Sequence, residues 1–135
     1  MTSSQHILAA VALALSAGYA TAQTTLYVGG SGGSTETLMK EKIIPPFEAK
    51  TGAKVVYIPG NSTDILAKIQ AQKGKQEISL AIIDDGPMYQ AVGQGLCAPV
   101  EQAGAIKELY ANAEMVGGKS VGIGFIATGL GYNKD

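Results

Sequence analysis

The sequence predicts an α/β fold, a mostly parallel sheet with helices on both faces. Three observations point there. Short apolar, β-branched runs alternate along the chain with segments of helical periodicity. One run, Ile78–Ile83 (ISLAII), is nearly all apolar, as expected of a strand buried on both faces of a parallel sheet. Gly, Pro, Asn and Asp separate the runs at each junction.

The elements follow in order. Residues 1–22 read as an export signal outside the fold. Ile7–Leu15 is an unbroken apolar run, too short to span a bilayer, and it leads to the small-x-small sequence Ala20-Thr21-Ala22. The segment before it has no Lys or Arg, which is atypical. No Cys follows the cleavage site, so a lipid anchor has no support. Thr24–Val28 (TTLYV) is the first strand, and a glycine-rich stretch, Gly29–Gly33, follows it. Glu36–Lys50 has Leu38, Met39, Ile43, Ile44 and Phe47 at helical spacing, with Pro45 and Pro46 expected to kink or split it. Gly52 is placed to cap it in a left-handed conformation. Lys54–Ile58 (KVVYI) is the second strand, closed by Pro59-Gly60. Asn61, Ser62 and Thr63 suit a helix start, and Ile65, Leu66 and Ile69 give that helix its apolar face. ISLAII is the third strand, ending at Asp84-Asp85-Gly86-Pro87. A helix over Met88–Gly95, another over Ala105–Ala113 and a last strand over Ser120–Thr128 complete the pattern.

Bulk composition narrows the function. The chain has 135 residues, room for one domain, and is 46% hydrophobic, enough for a core. Net charge is −1, which gives no electrostatic footprint for nucleic acid. All ten basic residues are Lys, so a bidentate arginine clamp is unavailable. Cys97 is the only cysteine; an internal disulfide is impossible, and its apolar setting GLCAPV suits a small buried hydrophobe.

Three motifs fail on context. Gly29-Gly30-Ser31-Gly32-Gly33 matches G-x-S-x-G, the turn that presents a serine nucleophile. A secreted serine hydrolase using Ser31 needs a base to take the serine proton. The only histidine is His6, inside the export signal. Residues 113–120 (AEMVGGKS) approach a phosphate loop, but a strand follows Gly118-Lys119-Ser120 where a helix is required. A Gly-Gly turn feeding a strand fits better. Gly122–Ala127 loosely matches a dinucleotide fingerprint, but it lies within an apolar strand. With no histidine left after the signal and one cysteine, no metal site and no cofactor is expected.

What remains is a set of small polar groups at strand ends: Gly30, Ser31 and Gly32; Asn61 and Ser62; Asp84 and Asp85, with Tyr89 as an aromatic wall; and Thr128. In parallel sheets, ligands bind beyond the carboxyl ends of the strands. Hydroxyls, amides and carboxylates without a catalytic constellation suit reversible capture of a small polar solute. The bland reading of Asp84-Asp85 is a turn in which Asp bonds the backbone of Gly86.

These residues bring a family into view. LYVGGSGGSTE, IIPPFEAKTGAKVVYIPGNSTDILAKIQAQKGK, ISLAIIDDGP, GLCAPV and GIGFIATGLGYNKD together resemble the first lobe of a periplasmic solute-binding protein of an ABC transporter. PFEAKTGAKVVY is the most telling stretch, and the spermidine/putrescine-like branch of extracellular solute-binding family 1 is the nearest in pattern. The resemblance implies a two-lobe protein of type II, of which residues 23–135 would be the N-terminal lobe. By the same resemblance that lobe would end at the hinge near GLGYNKD, with the second lobe absent. It also implies a periplasmic monomer, a polyamine or similar solute, and an inner-membrane ABC permease as partner. Two departures stand out. The first loop has glycine and serine where the polyamine branch tends to carry an aromatic, and Ser79 stands where an Asp is expected. A truncated lobe without function is the remaining alternative.

Overall fold

Residues 23–100, 108–110, 113–125 and 129–134 are described in a computed structural model of the chain. Their centre is a parallel three-stranded sheet in the order β2-β1-β3. Its strands are β1 (Thr25–Gly30), β2 (Lys54–Pro59) and β3 (Ile78–Ala81). Thr25 pairs with Lys54 and Gly30 with Pro59, so β1 and β2 end together and their following loops emerge side by side. The α/β class read from the sequence is the one observed.

The helical stretch after β1 is broken as the prolines require. It runs as α1 (Ser34–Leu38), a π-helical turn (Met39–Ile43) and α2 (Ile44–Thr51). Pro45 and Pro46 have no N–H, so they cannot close the α-pattern onto the carbonyls of residues 41 and 42. The chain widens instead, and Ile44 N–H donates to the Met39 carbonyl five residues back. Gly52, with φ of 71°, ends α2 in the left-handed conformation.

Helices cover both faces, as expected. Val28 and Tyr57 form a core cluster with Ile44, flanked by Met39, Val55 and Ile82. Gly29 faces the other way. There it meets Ile65 of α3 (Ser62–Ala71), a residue with 0% exposure. Helix α4 (Asp85–Gly93) packs alongside α3 and buries Met88 and Ala91.

Three expectations are corrected. β3 is not buried on both faces: Leu80 is 56% exposed, because β3 pairs only with β1 and forms an edge of the described sheet. α4 starts at Asp85 rather than Met88, placing Pro87 inside the first turn. The described part of the Ser120–Thr128 stretch, residues 120–125, does not join the parallel sheet. Its Ser120–Val121 portion (β5) pairs antiparallel with Glu114–Met115 (β4). Gly117 and Gly118 take positive φ between them and reverse the chain, which brings the preceding residues alongside. The GGK segment is thus a turn into a strand. Ile123 and Phe125 beyond it are 80% and 84% exposed. Thr128 and most of the helix expected at Ala105–Ala113 lie outside the described residues. Cys97 is a free, half-buried thiol.

Ser79 gains a role. The β1–β3 register shifts between Tyr27 and Val28, skipping Ser79. At that irregularity Tyr27 N–H donates to the Ser79 hydroxyl at 3.2 Å. The side chain thus stands in for a ladder acceptor.

Candidate functional site

The carboxyl ends of the three strands gather the loops at residues 30–33, 60–62 and 82–85. Backbone bonds bind them into one rim: Gly60 N–H donates to the Gly30 carbonyl at 2.9 Å, and Ile82 N–H to the Gly29 carbonyl at 2.8 Å. Of the site residues expected from sequence, the structure brings together Gly30, Ser31, Asn61, Ser62, Asp84 and Asp85. Tyr89 is exposed on α4. Thr128 cannot be placed, since it lies outside the described residues.

The first loop is held from beneath. Tyr57, buried in β2, donates its hydroxyl to the Ser31 carbonyl at 2.8 Å. Gly30 makes room for it, for a Cβ at residue 30 would sit 2.6 Å from the Tyr57 oxygen. Gly29 likewise makes room for Ile65, at 2.9 Å. The space at these two glycines is filled by the protein's own side chains. Gly33 is different: its φ of 64° with ψ of −132° is glycine geometry at the start of α1. Burial pushes the Tyr57 phenol above its usual pKa, and nearby Glu36 adds to the shift, so Tyr57 is a neutral donor at physiological pH.

The second and third loops are tied by side chains. Asn61 caps α3, its Oδ1 accepting Asp64 N–H at 2.9 Å and the Thr63 hydroxyl at 2.6 Å. Ser62, the next residue, donates its hydroxyl to Asp84 Oδ2 at 2.7 Å and accepts Asp84 N–H at 3.0 Å. Asp85 Oδ1 accepts Gly86 N–H at 2.9 Å, inside the first turn of α4 rather than in a separate turn.

Chemically this rim offers polar groups and, among the described residues, no catalytic constellation. Among the described residues, the Ser31 hydroxyl meets no base and no lysine reaches it. Nor does any group of three His, Cys, Asp or Glu side chains come together there to hold a metal ion. The exposed Ser31 hydroxyl, the Asn61 amide nitrogen and Asp84 Oδ1 have no protein partner among the described residues. Sequence reasoning missed Tyr57. Its signal was the YVGG–KVVY pairing, in which Tyr57 faces Val28 and its ring reaches diagonally to Gly30, two residues on.

Comparisons with known proteins agree with this chemistry. Residues 42–135 match the family model described as bacterial extracellular solute-binding protein. No curated protein matches the sequence. Among solved structures, the chain is similar to an extracellular solute-binding protein from Bordetella parapertussis, with 28% identity and a TM-score of 0.54. That match covers 57% of this chain and 24% of the other. Iron-bound HitA from Pseudomonas aeruginosa is 18% identical with a TM-score of 0.58, over 71% of this chain and 30% of its own. Trichodesmium IdiA (FutA), in complex with iron and citrate, is 19% identical with a TM-score of 0.59, over 71% and 29%. The chain therefore spans less than a third of the length of each. The family and the Bordetella parapertussis neighbour are described as solute-binding proteins, and the two iron-bound neighbours share the fold.

Proposed function

The chain belongs to the bacterial extracellular solute-binding protein family, and from that premise we propose that it captures a small, positively charged polar solute. A polyamine or similar amine, taken up in the periplasm and delivered to an ABC importer, is the reading. Residues 23–135 would form the N-terminal lobe of a two-lobe binder, with residues 1–22 as its export signal. The site would comprise Gly30, Ser31, Gly32, Asn61, Ser62, Asp84 and Asp85 around the strand ends, Tyr89 from α4, and Thr128 at the hinge.

One observation carries the choice of a cation. Asp84 is exposed at the rim, with one carboxylate oxygen engaged by Ser62 and the other accepting nothing from the described protein. Asp85 beside it adds a second negative charge, and no basic side chain forms an ion pair with either among the described residues. An ammonium group fits an acceptor of this kind. The iron carried by two structural neighbours favours a second reading, a ferric complex. The described lobe offers no cluster of ligands for it, so other residues would have to supply most of the coordination.

Thermal unfolding of the full-length protein with putrescine, spermidine, ferric citrate and a neutral sugar tests this. Ligand at about a hundred times its Kd stabilises by about 2.7 kcal/mol, a readily measured rise in Tm. The amines should raise Tm, and Asp84→Asn should cut the rise to about a third or less. A rise with ferric citrate alone would replace the amine reading with the second one.

A further inference from the structure

We propose that Ser62 is a positioning residue, a buried latch that holds the Asp84 carboxylate in one orientation at the rim. As a statement about solute capture, this rests on the amine reading above. As a statement about Asp84, it stands on the geometry of two helix starts.

Consider first what Ser62 is not needed for. It opens α3, where a hydroxyl commonly serves as a cap. Asn61 already does that work, with its Oδ1 on Asp64 N–H. Ser62 is nonetheless only 9% exposed. A buried hydroxyl needs a partner.

Asp84 is in the reverse position. It stands at the N-cap of α4, where an aspartate normally turns back onto the second or third N–H of its own helix. Here the second belongs to Gly86, which donates to Asp85 Oδ1. The third position is Pro87, which has no N–H. Asp84 accordingly makes no side-chain cap. Its carboxylate turns to the neighbouring helix instead.

The spare hydroxyl and the diverted carboxylate meet. Ser62 Oγ donates to Asp84 Oδ2 at 2.7 Å and accepts Asp84 N–H at 3.0 Å. One hydroxyl thus grips both the side chain and the backbone of the same residue. Two contacts to one residue fix its χ1 torsion. Oδ1 is left without a protein donor among the described residues. Holding an acceptor in place before the ligand arrives lowers the cost of ordering it on binding.

The test has a solute-free arm and a solute arm, on the full-length protein. In the first, NMR measures the Hα–Hβ couplings of Asp84. A single staggered rotamer is expected in the wild type and in Ser62→Thr, which keeps the hydroxyl, and an averaged one in Ser62→Ala. A serine that merely fills space would lower Tm on truncation and leave these couplings unchanged. In the second arm, putrescine is titrated calorimetrically. Ser62→Ala should weaken binding about tenfold and Asp84→Asn about thirtyfold or more. The double variant should match Asp84→Asn alone, since the latch acts only through that carboxylate. Unchanged Asp84 couplings in Ser62→Ala overturn the proposal, as does full-strength putrescine binding by that variant. If the wild type takes no putrescine but Ser62→Ala frees the Asp84 rotamer, the latch stands and the amine reading falls.

Discussion

The two ends of the sheet are built to different rules. At the amino end, Lys54 N–H donates to the Thr24 carbonyl at 2.8 Å, and Gln23 reaches the Gly52 carbonyl at 3.1 Å. There the Glu48 carboxylate accepts Val55 N–H at 2.7 Å and pairs with Lys54 at 3.1 Å. Each of these groups is spent on another part of the protein. At the carboxyl end, Tyr57 and Ser62 tie the loops from within and leave Ser31, Asn61 and Asp84 each with an unspent polar atom among the described residues. One end closes the fold. The other holds polar groups in place without using all of them, as a rigid binding rim needs.

The glycine pair of β1 offers the largest break in that contrast. If Gly30 is required by Tyr57, then Gly30→Ala drives a Cβ to 2.6 Å from the phenol oxygen. Overpacking of this kind costs about 1–3 kcal/mol. Adding Tyr57→Phe removes the nearest atom and leaves the next contacts at 3.3 Å and 3.4 Å, so the pair should be less destabilised than the sum of the single changes. Urea unfolding of the four proteins measures the coupling. A Gly30→Ala protein of normal stability that fails to bind solute would instead assign that glycine to the solute.

The two helix starts sharpen the contrast on a smaller scale. Asn61→Ala removes a working cap and should cost about 1 kcal/mol. Asp84→Asn removes no cap and keeps an acceptor for Ser62, so its stability should stay within about 0.5 kcal/mol of wild type. Equal losses for both, read from chemical denaturation, would show that Asp84 serves the fold as Asn61 does.

This division was only half legible in the sequence. The Asn61 start and the Gly52 stop follow from local chemistry, because an amide or a glycine decides each within a few residues. Which oxygen Asp84 uses, and for whom, depends on Ser62, 22 residues earlier. No local pattern carries that. β1 was read as ending at Val28, because Gly29 and Gly30 look like loop residues; they are strand residues whose missing side chains admit Ile65 and Tyr57. The last strand failed for a related reason. SVGIGFIAT has the apolar content of a sheet strand, but Gly117 and Gly118 turn the chain so that only Ser120–Val121 finds a partner in the described structure. Apolar content says that a segment suits a strand and leaves its neighbour unnamed.

The smallest expected effect is on the amino end, and pH isolates it. The Val55 N–H bond, then the Lys54 ammonium, holds the Glu48 carboxyl below its usual pKa of 4.5. A lowered folded-state pKa means the unfolded chain takes up the proton first. The stability from this staple is therefore complete above the ordinary glutamate range and is lost as pH falls through the lower folded value. Glu48→Gln keeps an acceptor for Val55 but has no charge to titrate. Its urea midpoint should lie slightly below wild type at pH 7, and the gap should narrow steadily towards pH 3. Tyr57 gives the opposite sign at the other end. Its raised pKa makes its contribution complete below the usual phenol range and lost as alkaline pH passes through the folded value. Acid should thus loosen the α2–β2 corner while sparing the Tyr57–Ser31 tie. Were the Glu48→Gln gap unchanged from pH 7 to pH 3, the corner would be held by its backbone hydrogen bond without help from the charge.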